Sequence, residues 1–379
     1  MKKQRLMTPG PTEVPPEVLQ EMALPVFHHR TPRFQKMFAE VNDGLKQVFQ
    51  TKGDVITFAS SGTGAIEAAV VNTMSKGDKA LVAQGGKFGE RPGEICKANG
   101  IEVVPLDLEW GRSPEPRAIA DALKKHPDIA VVFTTLCETC TGAESDIAAI
   151  GPIVRKHKAL LAVDGISAAG AAEMRMDEWG VDLLIVGSQK AIMLPPGLAF
   201  LAVSEKAWKK IESVKSPAYY FNLKAARKKL PDADTPYTPA ITLIRALKRS
   251  LDLLLEGGME SVWHRHAIMA EACRAGVKAM GLRIFPDRPC NALTVVTPPD
   301  GVDAEAIAKA LEKDHGIKIA GGQDKLKGKV FRISHMGYVD MFDVLTTLSA
   351  LELTLAKLGH AVEPGIGVAA AQRVIAGAM

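Results

Sequence analysis

The sequence predicts an α/β protein, with a large domain built on a mostly parallel sheet and a smaller α+β domain after it. Short and almost wholly apolar runs, such as residues 129–134, 159–163 and 182–186, alternate with segments whose apolar residues recur at helical spacing. Strands this apolar need cover on both faces, as a parallel sheet between helix layers provides. Beyond Gly281 the order changes to strand, helix, strand, strand, helix. The length of 379 residues suits two domains, at roughly 150 residues each.

The elements follow in order. Residues 8–16 form a proline-rich arm that can be neither helix nor central strand and should lie extended across another surface. Phe34, Met37, Phe38, Val41, Leu45 and Val48 mark an amphipathic helix over 32–50 that starts at Thr31-Pro32. Strand and helix then alternate: strand 54–59, helix 64–74, strand 79–83, helix 89–99, strand 101–105, helix 116–125, then the three apolar strands. Residues 198–203 follow Lys190 so closely that they should join the same sheet antiparallel. Residues 205–240 are basic and polar, with an irregular loop over 232–239. Helices are expected over 240–255, ending at Gly257-Gly258, and over 259–280. The second domain takes strands 293–296, 318–320 and 330–334 and helices 304–314 and 340–358. The Gly/Ala-rich tail after Gly359 reads as a loosely packed appendage. The expected divisions are an arm over 1–17, a large domain over 18–257 and a small domain over 258–379.

Composition narrows the function. Apolar residues at 47% and charged residues at 24% exclude wholesale disorder. A net charge of +4 and only 5% aromatics argue against nucleic acid as a partner. No apolar run reaches the roughly 18 residues of a membrane span, and the basic N-terminus leads into Pro9-Gly10-Pro11 rather than a signal-type stretch. Five cysteines do not suggest a disulfide scaffold. The expectation is a cytoplasmic protein acting on small molecules.

Three strand ends carry chemistry. Ser61-Gly62-Thr63-Gly64 lies between a strand and a helix, where glycines, hydroxyls and a helix N-terminus suit a phosphate; an ordinary tight turn fits as well. Asp164 ends a buried strand and points to the crevice where α/β sheets bind ligands, or else caps a helix. Lys190, in Gly187-Ser188-Gln189-Lys190 after the next buried strand, would hold more free amine if desolvated and could form a Schiff base. Together the three match the needs of a phosphorylated pyridine aldehyde: an anion site, an acid for the ring nitrogen and an amine. Other clusters carry less. Cys137-Glu138-Thr139-Cys140 lacks a second Cys/His pair at zinc spacing, so no metal is expected. His28-His29-Arg30 is either a cationic entrance or a polar loop. His264 and His266 read as polar helix-face residues, and 224–229 as a solvated charge run.

Further motifs extend the pattern: Thr8-Pro9-Gly10-Pro11-Thr12, Val48-Phe49-Gln50-Thr51, Ile66-Glu67-Ala68, Glu138-Thr139-Cys140-Thr141-Gly142, Pro195-Pro196-Gly197, Pro236-Tyr237-Thr238-Pro239 and Gly328-Lys329-Val330-Phe331-Arg332-Ile333. Over nearly its whole length the chain resembles the class V, fold-type I pyridoxal-phosphate aminotransferases, specifically the alanine–glyoxylate / serine–pyruvate group. The resemblance implies a large domain with a seven-stranded type of sheet, pyridoxal 5′-phosphate as cofactor, and a homodimer whose active site is shared, with the arm reaching the neighbour. It implies an aldimine on Lys190, which then acts as base, and Asp164 on the pyridinium nitrogen. Phe88, where the group often has tryptophan, would stack on the ring, and Thr139 would approach the phenolic oxygen. Ser61, Gly62, Thr63 and Gln189 would hold the phosphate, and Thr238 would reach the phosphate of the other subunit. Arg332 would pair with the substrate α-carboxylate. Thr63 and Thr235 replace a histidine and a tyrosine of some relatives, which touches substrate range more than reaction type. The implied reaction is ping-pong transfer from alanine or serine to glyoxylate or pyruvate. Relatives acting on aspartate, phosphoserine or 2-aminoethylphosphonate, a cysteine desulfurase using Cys290, and a catalytically silent binding subunit remain the alternatives.

Overall fold

The computed structural model describes residues 2–378. Along the chain the strands are β1 (Arg5–Leu6), β2 (Asp54–Phe58), β3 (Lys79–Gln84), β4 (Glu102–Asp107), β5 (Ile129–Thr135), β6 (Cys137–Glu138), β7 (Ala143–Glu144), β8 (Leu160–Asp164), β9 (Leu183–Gly187) and β10 (Ala199–Val203). The second sheet follows with β11 (Arg283–Ile284), β12 (Leu293–Thr297), β13 (Ile317–Lys318), β14 (Ala320–Gly321) and β15 (Phe331–Ser334); β13 stands outside it, paired with β1.

The large sheet has seven strands in the order β2-β10-β9-β8-β5-β3-β4, and β10 alone runs antiparallel to its neighbours, as its closeness to Lys190 suggested. Alternation divides its side chains between two cores. Leu161, Val163, Leu184 and Val186 face one helix layer, and Leu160, Ala162, Leu183 and Ile185 the other. The first layer includes α1 (Pro16–Ala23) and α2 (Pro32–Phe49), where the Thr31 hydroxyl caps the Phe34 N–H, and the second includes α3 (Gly62–Thr73). Strand β8 has no polar side chain until its C-terminal residue, which is Asp164.

The antiparallel sheet β11-β12-β15-β14 backs onto a third core with the long helices Gly258–Ala279 and Met341–Lys357. The N-terminal arm joins the two sheets. β1 pairs in parallel with β13, Ser334 N–H donates to Met7 O (2.9 Å), and Thr12 N–H donates to Gln189 O (3.2 Å). The arm was expected to reach a neighbouring subunit. Within its own chain it is held by these bonds over residues 5–12.

The basic, polar stretch 205–240 contains two helices, Glu205–Ser213 and Leu223–Arg227, with Ser204 and Asn222 side-chain caps. Some expectations are corrected. Arg227 is no solvated charge, since it bonds Asp54 (3.1 Å) and lies 4.4 Å over the Trp208 ring. His266 is fully buried, with Nε2 accepting the Gly337 N–H (3.2 Å). The tail is no appendage: Ile366–Ala378 is a helix packed on Gly258–Ala279. Its small residues let the backbones approach, for a Cβ on Gly276 would lie 2.9 Å from Gly367 O. The buried Glu352 caps that helix, accepting N–H bonds from Gly365 (2.8 Å), Gly367 (2.7 Å) and Val368 (3.2 Å).

Replacing Glu352 by alanine strands the buried Gly367 amide and should cost about 1–3 kcal/mol. Urea unfolding should show a lower midpoint, and an unchanged midpoint would contradict this role for the carboxylate.

Candidate active site

At the C-terminal ends of β2, β5, β8 and β9 the chain leaves a cavity lined by Ser61, Gly62, Thr63, Phe88, Arg91, Thr139, Asp164, Gln189 and Lys190 among others. It opens into a wider mouth that shares Phe88, Thr139 and Lys190 and adds the arm residues Thr8, Pro9 and Gly10, the glycines Gly321 and Gly322, Gln323 and Arg332. Nine of the ten residues singled out from the sequence therefore meet in one connected space. Thr238 does not. It lies beyond the β2 edge with Tyr237, Tyr220, Ile56 and Phe58.

Burial sets the charges. Asp164 is 7% exposed, and its Oδ1 accepts the Ile166 N–H at 2.9 Å. Desolvation raises its pKa to about 6, against the pull of that bond, Arg91 and Lys190. Lys190 is 8% exposed, and burial lowers its pKa to about 8, with Asp164 opposing and Arg332 and Arg91 adding to the fall. The Nζ donates to Pro9 O, and Thr12 Oγ1 bonds Lys190 O (3.0 Å), so the arm covers the lysine. Gly10, at φ +117°, must be glycine here, since a Cβ would come within 2.4 Å of Nζ.

Arg332 comes in from β15, 5% exposed. Its Nε donates to Gly321 O (2.9 Å) and Nη1 to Thr139 O (3.1 Å), which fixes the guanidinium plane. Its other N–H groups have no carboxylate partner among the described residues. Burial lowers its pKa, with Cys140 and Glu138 opposing.

The residues fit the phosphorylated aldehyde expected from the sequence. Helix α3 begins after Ser61 with no side-chain cap, so the first amides of its N-terminus meet the cavity unclaimed by a side chain. Gln189 has a buried Oε1 without a partner, hydrogen-bonding capacity left over beside that helix end. Asp164 and Lys190 then supply an acid and an amine out of water.

Sequence reasoning missed Arg91, whose guanidinium lies 4.9 Å from the Phe88 ring centre, one helical turn along. The i, i+3 spacing from Phe88 was the signal available. It also missed Ser167, which Thr139 Oγ1 bonds, and the arm's cover over Lys190. Cys290, the residue a desulfurase would need on a mobile loop, is fully buried with its N–H on Gly142 O (2.9 Å). Among the described residues no cluster of His, Cys, Asp and Glu forms a metal-ligand set, and no helix is long and apolar enough to cross a membrane.

Known proteins resemble the chain as a whole. The family model "Aminotransferase class-V" covers residues 6–345. The chain is 41% identical to the small subunit of a soluble hydrogenase from a Synechococcus species, over 98% of each chain. It is 39% identical to the serine–glyoxylate aminotransferase of Hyphomicrobium methylovorum, over 97% of this chain and 93% of that one. The crystal structure of ureidoglycine–glyoxylate aminotransferase from Bacillus subtilis superposes with a TM-score of 0.94 at 33% identity, covering 99% of both chains.

With its pKa lowered to about 8, Lys190 becomes mostly free amine above that pH and mostly ammonium below it. The rate at which cofactor-free protein captures pyridoxal phosphate should rise from pH 6 and level off above about 8, measured by stopped-flow absorbance. In Asp164→Asn the break should move to lower pH, because the carboxylate is what holds the ammonium up. A break near 10.5, the ordinary lysine value, would contradict the assignment.

Proposed function

The chain belongs to the class V aminotransferases, which depend on pyridoxal 5′-phosphate, and from that premise we propose that it moves the amino group of serine or alanine to glyoxylate, with pyruvate as a second acceptor. The observation that carries the reading is the pairing of Lys190 with Arg332 across one mouth. The other mouth cations are neutralised: Lys318 faces Glu312, and Lys309 faces Glu305 at 4.0 Å. Arg332 is the one guanidinium lining that mouth and has no carboxylate partner, which favours a donor with one carboxylate over aspartate or phosphoserine. The two aminotransferase relatives are both named for glyoxylate and differ in the amino donor, serine in one and ureidoglycine in the other.

When bound, pyridoxal phosphate supplies an electron-withdrawing ring that acidifies the substrate Cα–H. The chain does the rest. Ser61, Gly62, Thr63 and Gln189 hold the phosphate, and Asp164 keeps a proton on the ring nitrogen through its buried carboxylate. Phe88 covers one ring face and excludes water, while the Thr139 hydroxyl orients the phenolic oxygen. Lys190 Nζ anchors the cofactor and, once released, carries the proton from the substrate Cα. Arg332 grips the α-carboxylate bidentately and sets the Cα–H bond toward Lys190. The same groups run in reverse on the 2-oxo acid, which gives ping-pong turnover.

We also propose a homodimer. Tyr219 is 82% exposed beside Tyr220, which stacks on Tyr237 at 5.2 Å next to Thr238. A second copy covering this aromatic surface would bring Thr238 to the partner's phosphate.

A half-reaction screen tests the reading. Holoenzyme mixed with single amino acids should lose its near-visible cofactor band with serine and alanine, and glyoxylate should restore it. In Arg332→Ala the donor concentration for half-maximal bleaching should rise about tenfold to a hundredfold, the scale of a lost charge-assisted pair. Bleaching by aspartate but not by serine or alanine would overturn the donor assignment.

A further inference from the structure

Glu138 sits in the sequence between two cysteines and has no part in the chemistry above, yet it is 3% exposed beside the cofactor cavity. Helix α4 (Lys87–Ala98), which carries Phe88 and Arg91, starts at Gly86 with no side-chain cap of its own. Glu138 supplies one from another element. Its Oε2 accepts the N–H of Phe88 (3.1 Å) and of Gly89 (2.7 Å), and its Oε1 accepts the N–H of Cys140 (3.0 Å). One carboxylate thus ties the start of α4 to the turn that holds Thr139. That turn also anchors Arg332 through Thr139 O. The approach is close enough to demand glycine at 86, where a Cβ would lie 2.5 Å from the Glu138 carboxyl carbon.

We propose that Glu138 is a positioning residue for transamination: by capping α4 from outside the helix it fixes the Phe88 ring and the Thr139 hydroxyl against the bound cofactor. The inference rests on the reading that Phe88 and Thr139 face that cofactor. A carboxylate suits the task because all three donors are backbone amides and a helix N-terminus favours negative charge. A glutamine has one acceptor oxygen, so its NH2 must face either the two α4 amides or the Cys140 amide. The Phe88 ring and the Thr139 turn would then part.

The fold contains its own control. Glu352 is also a buried carboxylate capping a helix through three backbone amides, but it lies in the small-domain core with no contact to the cavity. In holoenzyme, Glu138→Gln should keep the cofactor absorbance, because Lys190 is intact, while the induced circular dichroism of that band falls by about half or more. Its kcat should fall about a hundredfold, the scale on which a misplacement of about 1 Å costs rate, with donor KM changed far less. In the cofactor-free protein, hydrogen exchange at the Phe88 and Gly89 amides should accelerate. Glu352→Gln should lower the thermal midpoint and leave the dichroism and kcat unchanged. Should Glu138→Gln fail to fold, Gly86→Ala, which displaces the same carboxylate, must show the same loss of dichroism. Unchanged dichroism and kcat in Glu138→Gln, or an equal change in Glu352→Gln, would overturn the proposal. A wild-type protein with no bound-cofactor band would instead remove the functional reading beneath it.

Discussion

Two neighbouring parallel strands run apolar to their ends and there present opposite charges to a space that water hardly reaches. Asp164 closes β8, and Lys190 follows β9. Burial penalises both ions, so the acid's pKa rises and the ammonium's falls. On a solvated surface the same pair would be an unremarkable acid and base at their ordinary values. Here each is brought nearer to neutral pH, where a proton can be exchanged at low cost. The two helix layers over the sheet exist, from the standpoint of function, to keep those strand ends dry.

The second sheet completes the site by delivering Arg332, and the N-terminal arm holds the two sheets in register. The arm touches β13 at one end and the Lys190 turn at the other. The Pro9 carbonyl accepts a hydrogen bond from the Lys190 amine, so the arm helps to orient that amine. Glu138 and Glu352 illustrate one device used twice, a buried carboxylate closing a helix end that lacks a side-chain cap. One instance lies against the cavity and the other in a structural core.

Much of the fold was legible because buried parallel strands are apolar runs and their ends are punctuated by glycine, aspartate and lysine. That same punctuation singled out Ser61, Gly62, Thr63, Asp164 and Lys190, whereas Phe88, Thr139, Gln189 and Arg332 were expected from the family resemblance alone. What stayed hidden had weak local signals. The Ile366–Ala378 helix packs through glycine and alanine, so its buried face does not stand out in hydropathy. His266 lies on a helix face that looks polar only until Gly337 is folded against it. Glu138 acts through backbone amides fifty residues away, which no spacing rule reveals. Thr238 was legible as a motif, but within one chain the structure leaves it outside the cavity.

The central claim is that one buried amine, Lys190, carries the cofactor. Borohydride reduction of the yellow holoenzyme, followed by proteolysis and mass mapping, reads this directly. The account predicts the pyridoxyl-phosphate mass on the peptide containing Gln189-Lys190-Ala191 and on no other. The same mass on a different lysine, with the peptide around Lys190 unmodified, would contradict it.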